Sequence, residues 1–294
     1  MKLLITGANG FVASYLMPKL AKEGHELYAL IHQHSFAIPD YVTRLSLDDL
    51  KGWDFVFNGV INLAGANIGE KRWTQERKNT LFSSRVDFTQ ELCNSLINKP
   101  AIWLNASAVG YYGNDENKTF TEESTPNSGF THDLCNAWEQ FAIDRGFQRT
   151  VIFRLGVVLG NGGVLDKMLL PYKLGLGSKI GSGRQFFPWI HIQDVCNFIC
   201  NALTDQSYQG VYNLVAPETV NQVYFSKTLS KTLGRPHLLW TPACALELAM
   251  GEMGTLVTKG QKVIPKRLLE RDFTFEYPEL NQALTSIVSA PHGE

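Results

Sequence analysis

Two glycines and an alanine near the start of the chain have the spacing of a phosphate-binding turn. Gly7, Gly10 and Ala13 follow an apolar run at residues 3–5. Gly7 lacks a Cβ and can form a tight turn, and Gly10 lets backbone N–H groups approach a pyrophosphate at the start of the next helix. Such glycines also occur in ordinary strand-turn-helix units, where they serve only the turn. A second apolar run at residues 27–31 completes a βαβ unit, and this context favours dinucleotide binding.

The polar loop after this second run bears on the choice of cofactor. In dinucleotide-binding folds the end of the second strand faces the adenosine ribose, where an acid selects NAD and a basic residue accepts the 2′-phosphate of NADP. Residues 32–35 are His-Gln-His-Ser and include no acid. His32 or His34 could contact a phosphate, although imidazole is a weaker and more pH-dependent donor than guanidinium. Alternatively, both are solvated loop residues. The sequence therefore favours NADP(H) over NAD(H).

Hydroxyl groups occur where a later strand is expected to end. The apolar run at residues 101–106 is followed by Ser107, Tyr111 and Tyr112. Ligands bind at the carboxyl ends of parallel strands, so these side chains are candidates for catalysis; alternatively, they only pack the loop. A tyrosine with an unshifted pKa of about 10 is a neutral proton donor at pH 7, which suits reduction of a carbonyl group.

Small residues and one cation supply further candidate cofactor contacts. Another apolar run ends in Leu63, Ala64 and Gly65, where the small side chains let a ligand pass close to the backbone. An amphipathic pattern then predicts one long helix, capped by Thr74 and continuing to residue 97. Arg85 lies within it, either as a solvated charge or as a cation directed at the carboxyl edge of the sheet.

Strand and helix patterns alternate through the first half of the chain, which predicts an α/β fold with a doubly wound parallel Rossmann sheet. We expect residues 1–160 to form the dinucleotide-binding domain and residues 161–294 to form a smaller C-terminal substrate lobe. Some elements of that lobe, at about residues 185–205, are expected to return to the Rossmann core.

Three helix starts can be specified in more detail. Pro18 should kink the first helix or shift its start, because proline has no N–H to donate. Thr131 is expected to cap a helix that carries Leu134 and Trp138 on one face, and Asp194 is expected to begin a helix that continues to residue 203.

Composition excludes several classes of function. The chain has 294 residues and a net charge of −1, which recruits neither nucleic acid nor an anionic membrane. No apolar stretch approaches the roughly 20 residues of a membrane span, so we expect a soluble, cytoplasmic protein. The five cysteines show no Cys-x-x-Cys spacing, and neither a disulfide scaffold nor a metal site is predicted.

Several motifs together are far more specific than the glycine turn. They are TGANGFVA (residues 6–13), NLAG (62–65), KRWT (71–74), SAVGYYG (107–113), RLGVVLG (154–160), GSGRQFFPWIHIQD (181–194) and GQKVIPKRL (260–268). With them the chain resembles, over nearly its whole length, an atypical branch of the extended short-chain dehydrogenase/reductases, the SDR39U1-like (YfcH-like) epimerase family. The resemblance implies a bound dinucleotide, usually NADP(H). The matching cofactor positions are Gly7, Gly10, Phe11, Val12, Leu63, Ala64, Arg85 and Val157.

The chain departs from the pattern of this superfamily at two places. His32 stands where many relatives have an arginine for the 2′-phosphate. The active-site Tyr-x-x-x-Lys falls on Phe130 and Leu134, neither of which can transfer a proton or lower the pKa of a neighbour. The usual serine aligns with Ala108, or with Ser107 if one extra residue is allowed.

Two functions are compatible with these observations. The first is an NAD(P)-binding oxidoreductase or epimerase that acts on a small hydroxylated or carbonyl substrate, with Ser107 and either Tyr111 or Tyr112 in place of the missing tyrosine. The second is a dinucleotide-binding sensor or regulatory protein with weak or no catalysis. In both cases the expected partner is a small molecule, not nucleic acid or a membrane. The substrate and the oligomeric state stay open, with a homodimer as one alternative.

Overall fold

A seven-stranded parallel sheet forms the centre of the computed structural model, which describes residues 1–31, 38–52 and 56–289. In chain order the strands are β1 (Lys2–Thr6), β2 (Glu26–Leu30), β3 (Val42–Leu45), β4 (Gly59–Asn62), β5 (Ile102–Ala108), β6 (Asp115–Phe120), β7 (Arg149–Leu155), β8 (Val157–Leu159), β9 (Ser178–Ile180), β10 (Trp189–His191), β11 (Gly210–Leu214), β12 (Leu239–Thr241) and β13 (Gln261–Val263). The order across the central sheet is β11-β7-β5-β4-β1-β2-β3.

Helices cover both faces of this sheet. They are α1 (Phe11–Lys22), α2 (Leu47–Lys51), α3 (Gln75–Ser83), α4 (Val86–Ser95), α5 (Phe130–Asp144), α6 (Gly163–Lys173), α7 (Ile192–Thr204), α8 (Gln222–Thr232), α9 (Ala243–Met250), α10 (Thr255–Thr258), α11 (Lys266–Leu269) and α12 (Leu280–Ser289). On β5, Leu104 packs into the cluster that includes α1 and α7, whereas Trp103 packs into the cluster on the opposite face, with Leu92 of α4 and Ala142 of α5. Side chains alternate between the two faces of a strand, so an apolar run buried on both faces is typical of such a sheet. The prediction of a doubly wound parallel sheet is confirmed.

Of the first helices, α1 begins at Phe11 and runs through Pro18, so its start is not shifted, and a kink at Pro18 stays a prediction. The long helix expected from Thr74 is broken: Thr74 does cap α3, with its hydroxyl accepting from the N–H of Arg77, but α3 ends at Ser83 and α4 begins at Val86. The break is stabilised by side-chain bonding, because the hydroxyl of Ser84 accepts the N–H of Ala66 at 3.0 Å.

Two helix caps were also predicted wrongly. α5 starts at Phe130 after Gly129, so Thr131 lies inside the helix and does not cap it. α7 is capped by His191, whose ring nitrogen Nδ1 accepts the N–H of Gln193 at 3.2 Å. Asp194 is fully buried and instead accepts the N–H groups of Glu276 and Tyr277, at 2.6 and 3.2 Å. It therefore attaches the C-terminal segment to the core.

A second apolar cluster lies beyond the central sheet. It joins α6, α8 and α12 around residues such as Leu165, Phe225 and Leu284. Three small parallel sheets accompany it, pairing β10 with β8, β12 with β9 and β13 with β6. α7 packs on α1, and β11 is the edge strand of the central sheet, so the chain returns to that sheet after residue 160. The division into two domains at this residue stays a prediction.

In the part of the chain that the structure describes, no helix is both long enough and apolar enough to cross a membrane. All five cysteines are free thiols.

Candidate functional site

Neither glycine of the turn after β1 has room for a side chain. Gly7 has a φ of +65°, and a Cβ added there would lie 2.7 Å from the carbonyl oxygen of Leu63. A Cβ on Gly10 would lie 2.9 Å from the carbonyl oxygen of Gly7, which already accepts the N–H of Gly10 at 2.8 Å. Glycine is therefore required at both positions, as a close approach between backbone and ligand demands.

Buried polar side chains hold this turn against the neighbouring strands. The hydroxyl of Thr6 donates to Asn62 Oδ1 at 2.7 Å and accepts the N–H groups of Leu63 and Ala64 at 3.1 and 3.2 Å. The amide of Asn62 then donates to Asn105 Oδ1 at 2.8 Å. Because a buried polar group is costly unless it is bonded, this network fixes the ends of β1, β4 and β5 in one arrangement.

A cleft of about 900 Å³ opens over the turn at the carboxyl edge of the sheet. Five of the predicted cofactor residues line it: Gly7, Gly10, Leu63, Ala64 and Gly65. Its volume lies in the range of small-molecule and cofactor sites. Asn9, Ser46 and Asp48 add polar groups that the sequence did not single out. The cleft, the glycine turn and the start of α1 together fit the pyrophosphate and adenosine parts of a dinucleotide.

Arg85 lies beside this cleft, next to Gly65. Its guanidinium donates to the carbonyl groups of Ala66 and Leu81, at 3.0 and 3.1 Å, and packs against Gly65, where an added Cβ would meet Cζ at 2.8 Å. Among the described residues no carboxylate forms an ion pair with it. Burial lowers the pKa of Arg85. A partly buried cation without an anion suits an anionic ligand.

The remaining predicted cofactor residues have different surroundings. Phe11 packs its ring against the glycine turn after β8, where a Cβ on Gly163 would be 2.9 Å from the ring. Val12 is partly buried against the main core cluster and Val157 against the second cluster. His32, like His34, lies outside the described residues. The cofactor roles of these residues stay predictions.

Ser107 and Tyr112, two of the three predicted catalytic residues, have hydroxyl groups bonded inside the protein. Ser107 is 3 % exposed and donates to Glu139 Oε1 at 2.5 Å. Tyr112 is fully buried, donates to Asn213 Oδ1 at 2.7 Å and accepts from Arg154 Nη1 at 2.8 Å. Burial raises the pKa of Tyr112 to about 12, despite the opposing effect of Arg154. Neither hydroxyl is directed to solvent, and a catalytic role for either stays a prediction.

Tyr111 differs from both of these residues. It is partly buried, and within the described part of the chain its hydroxyl makes no hydrogen bond. Its ring lies on the guanidinium of Arg154, with Cζ 3.4 Å from the ring centroid. His132 also contacts Tyr111, with Nδ1 2.7 Å from its carbonyl oxygen and the ring centroids 5.1 Å apart. Of the three candidates, Tyr111 alone retains a hydroxyl that can bond to a ligand.

Sequence reasoning missed the buried ion pair beneath this loop. Arg154 of β7 and Glu139 of α5 are 3 % and 1 % exposed. Nε and Nη2 of Arg154 donate to Oε1 and Oε2 of Glu139 at 2.9 and 2.7 Å. Burial lowers the pKa of Arg154, but the hydrogen bonds and charge of Glu139 outweigh that effect and raise it. A single arginine within the apolar run of β7 was the available signal, because a charge in a buried strand needs a partner.

The two residues at the positions of the superfamily's Tyr-x-x-x-Lys, Phe130 and Leu134, are apolar and also pack against apolar side chains. Leu134 is 2 % exposed and belongs to a cluster with Trp73, Leu81 and Met253. Phe130 packs its ring against Trp73, with centroids 5.2 Å apart. A lysine at residue 134 would be enclosed by apolar groups, so the local environment excludes the usual pair.

The glycine turn, the parallel sheet and the cleft at its carboxyl edge define a nucleotide-binding protein of the Rossmann type. Residues 3–214 match the model of the NAD dependent epimerase/dehydratase family, and the chain belongs to this family. Residues 241–287 match a domain of unknown function, DUF1731.

Relatives and solved structures support this assignment. Epimerase family protein SSP1921 of Staphylococcus saprophyticus is 38% identical, with 97% of this chain and 98% of the relative covered. The solved structure of human epimerase family protein SDR39U1 (isoform 2) with NADPH has a TM-score of 0.89 and 33% identity, over 98% of this chain and 99% of that chain. A nucleoside-diphosphate sugar epimerase from Corynebacterium glutamicum has a TM-score of 0.76 and 26% identity, over 98% of this chain but 58% of that chain. The resemblance stated from the sequence motifs is confirmed.

Proposed function

We propose that the protein is an NADP(H)-dependent reductase or epimerase that acts on a small carbonyl or hydroxylated compound, with Tyr111 as the proton donor. The observation that carries this proposal is the hydroxyl of Tyr111, which makes no hydrogen bond with any residue that the structure describes. Tyr111 lies on the loop after β5, and β5 pairs with β4, the strand that leads to Leu63 and Ala64. A dinucleotide cradle and a free proton donor at the same edge of the sheet are the two requirements of hydride-transfer chemistry.

The chain would hold the dinucleotide mainly through its backbone. Gly7 and Gly10 leave space for the pyrophosphate at the start of α1, and Ala64 and Gly65 allow close approach on the opposite side. Arg85 supplies a cation that forms no ion pair with a carboxylate of the described residues. The cofactor, when bound, supplies or accepts a hydride. Tyr111 would bond to the reacting oxygen of the substrate and transfer a proton to it, while Ser107 and Tyr112 anchor the loop from beneath.

A rate measurement tests the assignment of Tyr111. Tyr111→Phe keeps the ring on Arg154 but removes the proton, so the single-turnover rate of NADPH oxidation with an active carbonyl compound should fall by about 10² to 10⁴. Tyr224→Phe, on the exposed side of α8, is the matched control and should leave the rate unchanged. An unaltered rate in Tyr111→Phe would remove this residue from the chemistry. If the wild type binds NADPH but oxidises it with no member of a broad carbonyl panel, the sensor function becomes the better account.

Cofactor preference can be measured separately by fluorescence titration. We propose that NADP(H) binds at least as tightly as NAD(H), since no acid in the sequence at residues 32–35 excludes a 2′-phosphate. The NADPH complex of the human relative supports this proposal. Should the histidines contribute, the preference will weaken as pH rises through about 6.5. A constant preference for NADH from pH 5.5 to 8 would contradict it.

A further inference from the structure

The ion pair between Glu139 of α5 and Arg154 of β7 is buried in the interior of the protein, although an ion pair that only links two elements does not need to be buried. Both side chains are almost fully buried. Removing two charges from water is unfavourable, and an apolar pair of similar volume usually stabilises a fold equally well or better. A buried pair of this kind therefore indicates a requirement for specific geometry more than one for stability.

The bonds of Arg154 show what that geometry fixes. Nε and Nη2 are held by the two carboxylate oxygens of Glu139, and Nη1 donates to the hydroxyl of Tyr112. Each of the three guanidinium nitrogens thus donates to a partner, and these bonds fix the orientation of the guanidinium plane. One face of that plane carries the ring of Tyr111, with Cζ 3.4 Å from the ring centroid.

Each of the three guanidinium nitrogens of Arg154 has a partner, whereas the hydroxyl of Tyr111 makes no hydrogen bond with a described residue. Glu139 is additionally oriented by Ser107, which donates to Oε1, so the carboxylate is fixed from β5 and from β7. Tyr111 is thereby connected to strands of the central sheet through contacts that include no solvent-exposed side chain.

We propose that Glu139 and Arg154 are positioning residues, which hold the ring of Tyr111 flat on the guanidinium and so fix the direction of its hydroxyl. This inference rests on the proposed function for its catalytic significance, although the positioning itself does not depend on catalysis. Ser107 then contributes by orienting Glu139, and its effect on the reaction is exerted through Tyr111.

Fluorine NMR tests the positioning without any substrate. 3-Fluorotyrosine is placed at position 111, and its resonance is recorded in the wild type, in Arg154→Lys and in the double variant Glu139→Leu/Arg154→Met. Lysine keeps the charge but has no planar fork, and the double variant replaces the pair with apolar groups of similar volume. In the variant that retains a cooperative unfolding transition, we expect the resonance to split or to broaden by about twofold or more, because the ring gains alternative orientations.

Arg149 is the matched control, since it lies on the same strand. Its guanidinium donates to backbone carbonyl groups, including those of Ala202 and Tyr208, and does not contact Tyr111. Arg149→Lys should leave the fluorine resonance as in the wild type. An unchanged resonance in the folded Arg154 variants, or an equal change in Arg149→Lys, would overturn the inference.

A double-mutant cycle separates this inference from the proposed function. In single-turnover NADPH oxidation, Arg154→Lys should lower the rate about 10-fold to 10²-fold, as expected for a misplaced reacting group, and should have no further effect in the Tyr111→Phe background. Equal losses in both backgrounds would show that Arg154 acts independently of Tyr111. If Tyr111→Phe has no effect on the rate while the fluorine result holds, the proposed function fails and the positioning stands.

Discussion

The glycine turn after β1 and the tyrosine loop after β5 lie at the same edge of the sheet but are built from different parts of the chain. The turn is formed by the backbone, and its shape requires residues without side chains at Gly7 and Gly10. The loop is a side-chain structure, in which Tyr111 and Tyr112 depend on partners from β7, α5 and β11. A site made of backbone can be specified by a few consecutive residues, whereas a site made of side chains requires the completed fold. Variants in the turn should therefore lose cofactor binding, whereas variants in the loop should mainly lose stability or catalytic rate.

The largest expected effect concerns the turn. Gly10→Val should abolish NADPH binding in a fluorescence titration, since its side chain would meet the carbonyl oxygen of Gly7 and occupy the path to the pyrophosphate. Gly52→Val is a suitable control, because a Cβ there lies 3.9 Å from its nearest neighbour, the carbonyl oxygen of Asp49. Equal affinities of Gly10→Val and the wild type would show that the turn is not the cofactor cradle.

The apolar cluster beside the loop gives the next largest effect. Leu134→Lys, which restores the residue type of the superfamily, should lower the free energy of unfolding by about 3–5 kcal/mol, as an uncompensated buried charge does. Leu134→Met keeps volume and polarity and should cost less than about 1.5 kcal/mol. Urea unfolding of the two variants measures the difference. Similar stabilities of the two variants would mean that a side chain at residue 134 can reach water.

The buried hydroxyl of Tyr112 should affect the fold without affecting the cofactor. Tyr112→Phe leaves Arg154 Nη1 and Asn213 Oδ1 without a partner, so the free energy of unfolding should fall by about 1–3 kcal/mol. NADPH affinity should not change, since neither hydrogen-bond partner of the Tyr112 hydroxyl lines the cleft. Stability is measured by urea unfolding and affinity by titration; a loss of affinity at unchanged stability would contradict the separation of the two regions.

The smallest effect is a pH dependence outside both regions. Burial lowers the pKa of His191 to about 4, from an ordinary value of about 6.5. The unfolded chain therefore binds a proton in this window that the folded chain does not, and stability should fall as pH drops from about 6.5 toward 4. At pH 5 the loss should be on the order of 1–2 kcal/mol.

His191→Asn isolates this contribution. Asparagine can cap α7 without titrating, so the variant should lose less stability than the wild type between pH 7 and 5. Asp194 is present in both proteins and has the opposite sign, since burial raises its pKa to about 6 and its protonation favours the folded state. Parallel pH profiles of the two proteins, measured by urea unfolding, would exclude His191 as the source.

The same contrast explains which features could be predicted from the sequence. The cradle could be predicted, because Gly7 and Gly10 act through local geometry after an apolar strand. The network of Glu139, Arg154 and Asn213 could not, because its members come from three separate elements and only the fold brings them together. The break at Ser84 could not be predicted for a related reason. The hydrogen bond that stabilises it comes from Ala66, which lies outside the helix, and a helical pattern of apolar residues carries no information about such a bond.

Two of the small parallel sheets pair strands that lie far apart in the sequence, and this separation limits when they can form during synthesis. β6 pairs with β13, with Gln261 opposite Asp115, and β9 pairs with β12, with Leu239 opposite Ser178. During synthesis from the N-terminal side, β6 therefore stays without this partner until residues 261–263 have been made. Unpaired strand edges are sites of association between chains, and contacts between distant residues form slowly. Variants that weaken the C-terminal segment should thus aggregate during folding even when the cradle itself is intact.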